Sequence, residues 1–234
     1  MLLLVTDTSG KHGSVDLVRA SETAQPNEIE VIEEVPLAGG TFSAQLVPQI
    51  AALLAAHGFS RTDIDAFVVV SGPGSFTGLR VGLAAIKALG EVLRKPIVPV
   101  SLLEAVALAA RTPGKVLAAL DAARGEVFVG EYEIDRNAAR LLQERLLPKD
   151  EFWSAAGNAA VATPDAALVE TARRAGIAVF PVESPGPEMI ARLGWRKLQA
   201  GETVSPERLE ANYIRRSDAE IFAKPASSSQ GISD

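Results

Sequence analysis

The most informative part of this 234-residue sequence is Val70-Ser-Gly-Pro-Gly-Ser-Phe-Thr-Gly-Leu-Arg-Val-Gly82. The residues just before it, Phe67-Val-Val-Val70, form an apolar run that is typical of a buried strand. The residues that follow, 76–94, carry leucines and an isoleucine on one stripe at helical spacing. The glycines therefore lie in a turn that leads from a strand into a helix.

This turn allows two interpretations. Free N–H groups and the dipole at the start of a helix favour a bound anion. However, Gly72, Gly74 and Gly78 give the spacing G-x-G-x-x-x-G, which matches neither the P-loop nor the dinucleotide-binding pattern. Pro73 also has no N–H to donate. The spacing favours the second interpretation, a tight corner in which Gly78 and Gly82, one helical turn apart, let another helix approach closely.

Hydrophobic periodicity predicts three strands first, and then alternating helices and strands. We predict strands at 2–6, 14–20, 28–37, 65–71, 96–100, 116–120, 126–134, 141–147 and 177–181, and helices at 43–57, 76–94, 101–111, 165–175 and 188–200. Three antiparallel strands followed by α/β alternation are typical of a ribonuclease-H-like sheet. Two such lobes in tandem make the actin/sugar-kinase/Hsp70-like (ASKHA) architecture.

The predicted domains follow from this order. We expect an N-terminal lobe at 1–111 and a C-terminal lobe at 112–221, the second echoing the first only loosely. The last residues, 222–234, are small and polar, and we expect them to form a disordered tail.

Composition limits the classes of partner. Lys and Arg number 23 against 29 Asp and Glu, and basic residues never form a run longer than two, so the chain is not expected to grip a nucleic acid by itself. The sequence has no apolar run of about 18 residues and no signal peptide, which favours the cytoplasm over a membrane. The absence of cysteine excludes disulfides and thiolate metal sites.

Four polar residues are candidates for chemistry. Asp7 and Asp121 open similar turns and could together hold Mg²⁺ or act as a base, although an aspartate that caps a hairpin turn is the more common arrangement. His12 and His57 are the two histidines, and their positions favour solvated surface groups. A serine hydrolase is not supported, because the sequence has no G-x-S-x-G elbow.

The glycine-rich turn also carries a family resemblance. Gly72-Pro-Gly-Ser-Phe-Thr-Gly-Leu-Arg80 closely resembles the signature of the TsaB family. Residues 4–9 with 14–17 resemble the family's opening hairpin, 46–48 its first-helix motif and 99–104 its second-helix motif. Residues 119–127 resemble its second-lobe hairpin, and 212–215 its late Tyr-Leu-Arg motif. The resemblance therefore covers most of the chain. The chain departs from the pattern at Phe42, where many members have a histidine.

The resemblance implies a non-catalytic subunit. TsaD, the catalytic relative of the same fold, transfers a threonylcarbamoyl group to adenosine 37 of tRNA and holds a metal with two histidines one helical turn apart. Leu102 and Val106 stand at the matching positions here, and neither can coordinate a metal. The resemblance therefore implies a scaffold that binds and activates TsaD, meets TsaE through the complex, contacts tRNA only indirectly and needs no cofactor of its own. It also implies a homodimer when TsaD is absent.

The family resemblance places the partner surface on the first lobe, where two helices would pack with two helices of TsaD as a four-helix bundle. The residues predicted to contact the partner are Phe42, Leu46, Gln49, Leu53, Phe76, Leu79, Arg80, Leu83 and Ile86. The helix at 76–94 also carries apolar residues off its main stripe, which indicates a second covered face. Which stripe faces the core stays open.

Two other functions remain open at this point. One is a nucleotide-using enzyme of the same fold, which would need a metal-ligand pair or a nucleotide loop in the second lobe. The other is a Rossmann-type binding module built on Gly72, Gly74 and Gly78, which would need its glycine-bearing strand near the start of a βαβ unit.

Overall fold

The computed structural model describes residues 1–21, 29–136, 138–157 and 159–214. Within these ranges the chain forms two five-stranded sheets and six α-helices. Arg215 of the late motif and the expected tail at 222–234 lie outside the described residues. No helix within these ranges is both long and apolar enough to cross a bilayer.

The first sheet has the strand order β3-β2-β1-β4-β5. Its strands are β1 (Leu2–Asp7), β2 (His12–Ala20), β3 (Ile29–Ala38), β4 (Ala66–Gly72) and β5 (Ile97–Ser101). The first three are antiparallel, whereas β4 is parallel to β1 and β5 is parallel to β4. Because an antiparallel meander precedes the glycine turn, the alternative of a Rossmann-type binding module is wrong.

Two helices cover one side of the first sheet: α1 (Phe42–Ala56) and α2 (Phe76–Leu93). Their apolar stripes join alternate residues of the strands, such as Leu4, Leu17 and Phe67, in one core cluster. The short helix α3 (Leu102–Ala109) follows β5 and packs between the two lobes, since it contacts strands of both sheets.

The second sheet repeats the first strand for strand. Its order, β10-β9-β6-β7-β8, again places an antiparallel meander beside two parallel strands. Its strands are β6 (Gly114–Asp121), β7 (Glu126–Asp135), β8 (Ala138–Pro148), β9 (Ala160–Thr163) and β10 (Val179–Pro181), and its helices are α4 (Lys149–Ala156) and α5 (Ala166–Arg174). The expectation of a loose echo is corrected, because the sequence analysis missed β9 and α4. The α/β fold with two ribonuclease-H-like lobes is confirmed.

The last helix, α6 (Pro187–Gln199), returns to the first sheet although it follows the second in the chain. Ile190, Leu193 and Trp195 pack against the side of the first sheet that α1 and α2 leave open. A side chain at Gly194 would overlap with Val68 of β4, so the helix lies directly on the strand. The first sheet is therefore sandwiched between helices, and its core depends on a segment from the far end of the chain.

Candidate functional site

The glycine turn holds α2 against the loop that follows β1. A Cβ atom added at Gly74 would overlap with Ser9, and one added at Gly78 or Gly82 would overlap with Thr8. The Thr8 hydroxyl donates a hydrogen bond to the Gly78 carbonyl at 2.8 Å. The close-packing interpretation is thus confirmed, with one correction: the neighbour that approaches is the loop after β1 and not another helix.

The same turn leaves few donors for an anion at the start of α2. The Ser75 hydroxyl accepts a hydrogen bond from the Gly78 N–H at 3.3 Å, which caps the helix. The Ser75 N–H itself donates to the Ser9 carbonyl at 2.6 Å. A cleft of about 760 Å³ opens between the lobes in front of this helix end, with Lys11 and Ala123 on its walls.

Asp7 and Asp121 are each engaged within their own lobe. The Asp7 carboxylate accepts hydrogen bonds from the Ser9 N–H at 2.8 Å and the Ser9 hydroxyl at 2.6 Å, so it caps its own turn. Burial raises the pKa of Asp7, and the two hydrogen bonds from Ser9 oppose that shift. Asp121 forms an ion pair with Lys149 at 2.9 Å. The capping interpretation is confirmed for Asp7, while Asp121 is held by a lysine.

Asp16 is a buried carboxylate that the sequence analysis did not single out. It is 0% exposed, and its Oδ2 atom accepts a hydrogen bond from the Ser14 hydroxyl at 2.9 Å. Its Oδ1 atom has no partner among the described residues. Burial, assisted by the nearby carboxylates of Glu34 and Asp7, raises the pKa of Asp16 to about 7. The sequence pattern of β2 alternates apolar and polar residues, which normally places the polar ones in solvent. Asp16 could have been predicted to be buried only if both faces of β2 had been known to be covered.

Leu102 and Val106, the positions that the family resemblance matches to metal ligands of TsaD, make apolar contacts. Val106 is buried in a cluster with residues of the second sheet, and Leu102 is half-buried against the first-lobe cluster. His12 is exposed, and the His57 Nε2 atom lies 2.6 Å from Glu33 Oε2. Across the residues that the structure describes, no group of three or more His, Cys, Asp or Glu side chains is placed to hold a metal.

Six of the nine predicted partner residues lie in the interior of the chain, and their contact with a partner stays a prediction. Phe42, Leu46, Leu53, Leu79, Leu83 and Ile86 are each buried in the core of the first lobe. They form the stripes that α1 and α2 turn toward the sheet, although the edges of Phe42 and Leu83 also line the interlobe cleft and a groove beside α2. Gln49 and Phe76 are half-buried, and Arg80 is exposed.

The opposite side of α1 and α2 forms an exposed apolar surface, which we call the outer face. Its members are the exposed residues Ala44, Val47, Pro48, Ala51 and Ala55 of α1 and Ala84, Ala88 and Val92 of α2. They recur every three or four residues, so each set lies along one side of its helix. Val47 is 55% exposed and Val92 is 75% exposed. Because α1 contains no charged residue at all, its half of the outer face is entirely uncharged.

The architecture defines the class of protein. Two lobes, each an antiparallel meander beside parallel strands, make an ASKHA fold. A putative N-acetylmannosamine kinase from Listeria monocytogenes has this fold, with a TM-score of 0.53 and 10% identity over 86% of this chain and 100% of that chain. At this identity the likeness shows the fold alone.

More similar proteins identify the family. The chain is 30% identical over 192 residues to the tRNA threonylcarbamoyladenosine biosynthesis protein TsaB of Escherichia coli, which covers 75% of this chain and 81% of that protein. A Pseudomonas aeruginosa structure, of an uncharacterized protein with similarity to the peptidase YeaZ, has a TM-score of 0.69 and 27% identity over 92% of this chain and 99% of that chain. A sequence model of TsaD, tRNA N6-adenosine threonylcarbamoyltransferase, matches residues 36–146. The chain belongs to the TsaB family.

Proposed function

We propose that this chain is a non-catalytic subunit of the machinery that forms N6-threonylcarbamoyladenosine at position 37 of tRNA, and that it acts by binding a TsaD-type transferase. Membership of the TsaB family supports the pathway, since the Escherichia coli relative is named for threonylcarbamoyladenosine biosynthesis. The single observation that carries the partner role is the outer face of α1 and α2.

The outer face has the chemistry of a surface that a partner covers. An exposed helix of a monomeric protein normally carries charged residues on its solvent side. Here α1 presents alanines, Val47 and Pro48 instead, without one charge over 15 residues. Leaving an uncharged, largely apolar helix side in water is unfavourable, which is why surfaces of this kind mark interaction sites.

The small side chains also define the geometry of the proposed complex. Alanines along both helices let a partner helix approach closely, as in the contact of two helix pairs in a four-helix bundle. In the absence of TsaD the same surface pairs two copies of this chain into a homodimer. TsaE associates with the subunit through the complex with TsaD, tRNA contacts the subunit only indirectly, and the complex acts in the cytoplasm.

The proposal assigns the chemistry to the partner. Leu102 and Val106 supply no ligand at the positions where TsaD holds its metal, and both make apolar contacts. Asp7 and Asp121 are engaged by Ser9 and Lys149. Under this proposal the subunit has no cofactor of its own and no peptidase activity.

A reconstituted modification assay tests the proposed function. Purified TsaD, TsaE and the enzyme that supplies the threonylcarbamoyl adenylate are combined with tRNA, with and without this chain. We expect modified adenosine only when the chain is present, and we expect Val47→Glu to abolish both co-purification with TsaD and modification. Leu141→Glu is the matched control, because Leu141 is 53% exposed on β8, far along the chain from the outer face. Modification at full rate without the chain would overturn the proposal.

The interlobe cleft supports one second candidate, a nucleotide-using enzyme of the same fold. Its volume of about 760 Å³ suits a small ligand, and Lys11 and the start of α2 lie on its wall. Calorimetric titration with ATP and Mg²⁺ distinguishes the two functions. Tight binding that Lys11→Gln removes, together with hydrolysis, would favour the enzyme over the scaffold.

A further inference from the structure

A second surface lies beside the outer face, between α2 and the segment 209–213. It is a groove of about 300 Å³, which we call the Arg80 groove. Its lining residues are Arg80, Leu83, Ala84 and Lys87 of α2 and Leu209, Glu210, Ala211 and Tyr213 opposite them. Ala84 belongs to both surfaces, so the groove continues the outer face along one edge of α2.

Arg80 is held in one orientation within this groove. Its guanidinium carbon lies 3.8 Å from the centroid of the Phe76 ring, and its Nε atom donates a hydrogen bond to the Tyr213 hydroxyl at 2.9 Å. The two rings also contact each other, with centroids 5.1 Å apart. Within the described residues the terminal guanidinium nitrogens have no hydrogen-bond partner. Aromatic stacking and the single bond from Nε therefore fix the side chain and leave its fork of N–H donors for another molecule.

The far wall of the groove is anchored to both lobes. The Asn212 N–H donates to the Ser71 carbonyl at 2.7 Å, which ties the segment to the end of β4. The Asn212 side chain donates to the Glu144 carboxylate of β8, which also accepts from the Ser101 hydroxyl at 2.7 Å and from the Tyr132 hydroxyl. Because these hydrogen bonds fix the wall before a partner binds, binding in the groove loses less conformational entropy than binding to a segment that must first become ordered.

The charges of the groove select its occupant. Lys87 lies two helical turns after Arg80, on the same side of α2, and its ammonium is 3.5 Å from the Glu207 carbonyl. Glu210 is the one carboxylate of the lining, and in the described part of the chain it forms an ion pair with neither cation. Two cations above an apolar floor of Leu83 and Leu209 suit a carboxylate, which a guanidinium can bind through two parallel hydrogen bonds.

We propose that the Arg80 groove binds an aspartate or glutamate side chain of the TsaD-type subunit and favours that partner over a second copy of this chain. The inference rests on the proposed function. A symmetric homodimer uses the same surface of both copies, so a pairing that brings this edge of α2 to the two-fold axis places Arg80 and Lys87 beside the like charges of the second copy, which is unfavourable. An acidic partner surface removes this repulsion, so the groove supplies specificity while the outer face supplies apolar contact.

Two association constants, measured on the full chain, test the inference. The dissociation constant for TsaD is measured by calorimetry, and that for self-association by sedimentation, each at low and high salt. We expect the double variant Arg80→Gln with Lys87→Gln to bind TsaD at least about tenfold more weakly, with a flatter salt dependence. Self-association should be unchanged or tighter. Lys115→Gln, an exposed lysine on β6, is the matched control and should change neither constant.

The outcomes separate this inference from the proposed function. If wild-type chain fails to bind TsaD, both are overturned. If wild-type chain binds and the double variant binds within about twofold of it, the groove alone is overturned. Equal weakening of both associations would also overturn it, because the groove would then not discriminate between partners. Tyr213→Phe, which keeps the ring stack but removes the bond to Arg80, should fall between wild type and the double variant, and thermal unfolding shows that each variant is folded.

Discussion

The side of α1 and α2 that packs on the first sheet and the outer face are both apolar in the sequence, but the first is buried and the second is exposed. The inner stripes, with Leu46 and Ile86, are buried against the first sheet. The outer face, with Val47 and Val92, is apolar too, yet it is exposed. Apolar character in the sequence alone therefore does not distinguish a helix side that is buried in the core from one that is exposed and open to a partner. Substitutions on the inner side should change stability, and those on the outer side should change association.

The largest expected effect is at the glycines that face the loop after β1. Gly82→Leu inserts a side chain where the Thr8 hydroxyl lies, and Gly78→Val inserts one against the Thr8 backbone. The Thr8 backbone, which Gly78→Val meets, cannot move aside without disturbing β1, and the buried Thr8 side chain, which Gly82→Leu meets, cannot move without losing its hydrogen bond to the Gly78 carbonyl. We therefore expect either change to cost more than about 3 kcal/mol of unfolding free energy. Urea denaturation followed by circular dichroism measures it. A folded Gly82→Leu protein with wild-type stability and weaker self-association would instead favour helix packing at this position.

The next effect compares one apolar residue from each face of α2. Ile86 is 0% exposed, so Ile86→Ala leaves a cavity and should cost about 2–5 kcal/mol of unfolding free energy. Val92 is 75% exposed, and Val92→Ala should change the unfolding free energy by less than about 0.5 kcal/mol. Both values come from the same denaturation experiment. Equal costs at the two positions would contradict the division into inner and outer faces.

A charge on the outer face should separate association from stability. Ala88 is exposed on α2, and Glu91 one turn later can pair with an introduced arginine, so Ala88→Arg should fold normally. Buried against a partner, the same charge should cost about 2 kcal/mol or more, roughly thirtyfold in affinity. Sedimentation measures self-association, and calorimetry with TsaD measures the heterodimer. An Ala88→Arg protein with wild-type affinity in both would place the interface elsewhere.

The sequence predicted the fold better than it predicted the surface. The strand β4 and the helix α2 were found because long apolar runs and a strong 3.6-residue stripe leave little ambiguity. Strand β9 and helix α4 were missed because they are short, and two of the four residues of β9 are alanines, which are depleted in strands. The neighbour of Gly78 could not be predicted either, since Thr8 lies 70 residues away in the chain.

Six of the nine predicted partner residues lie on the buried stripes, and there is a physical reason for that choice. An amphipathic helix shows its buried side only if its other side is polar. Without a charged residue, α1 offers two apolar stripes, and the larger side chains were chosen although they fill the core. Arg80 is exposed, and its role at a partner surface stays a prediction. Its hydrogen bond to Tyr213 joins residues 133 positions apart, so no local sequence pattern could have predicted it.

The last expected effect is a pH dependence of stability that arises in the interior and leaves association unchanged. Burial raises the pKa of Asp16 from 3.8 to about 7, so between these values the folded chain holds a proton that the unfolded chain has lost. The unfolding free energy should therefore fall by up to about 1.4 kcal/mol per pH unit as the pH rises from 4 to 7, and level off above 7. Asp16→Asn should reduce this slope and exceed wild type in stability at pH 8, the difference shrinking toward pH 4. Some slope should remain, because burial also raises the pKa of Asp7.

Asp135→Asn, at an exposed position on β7, is the control. Denaturation across this pH range measures the slope, and an Asp16→Asn slope equal to that of wild type would show that Asp16 is ionised in the folded chain. Since Asp16 lies inside the first lobe, affinity for TsaD should stay unchanged in this variant at pH 7.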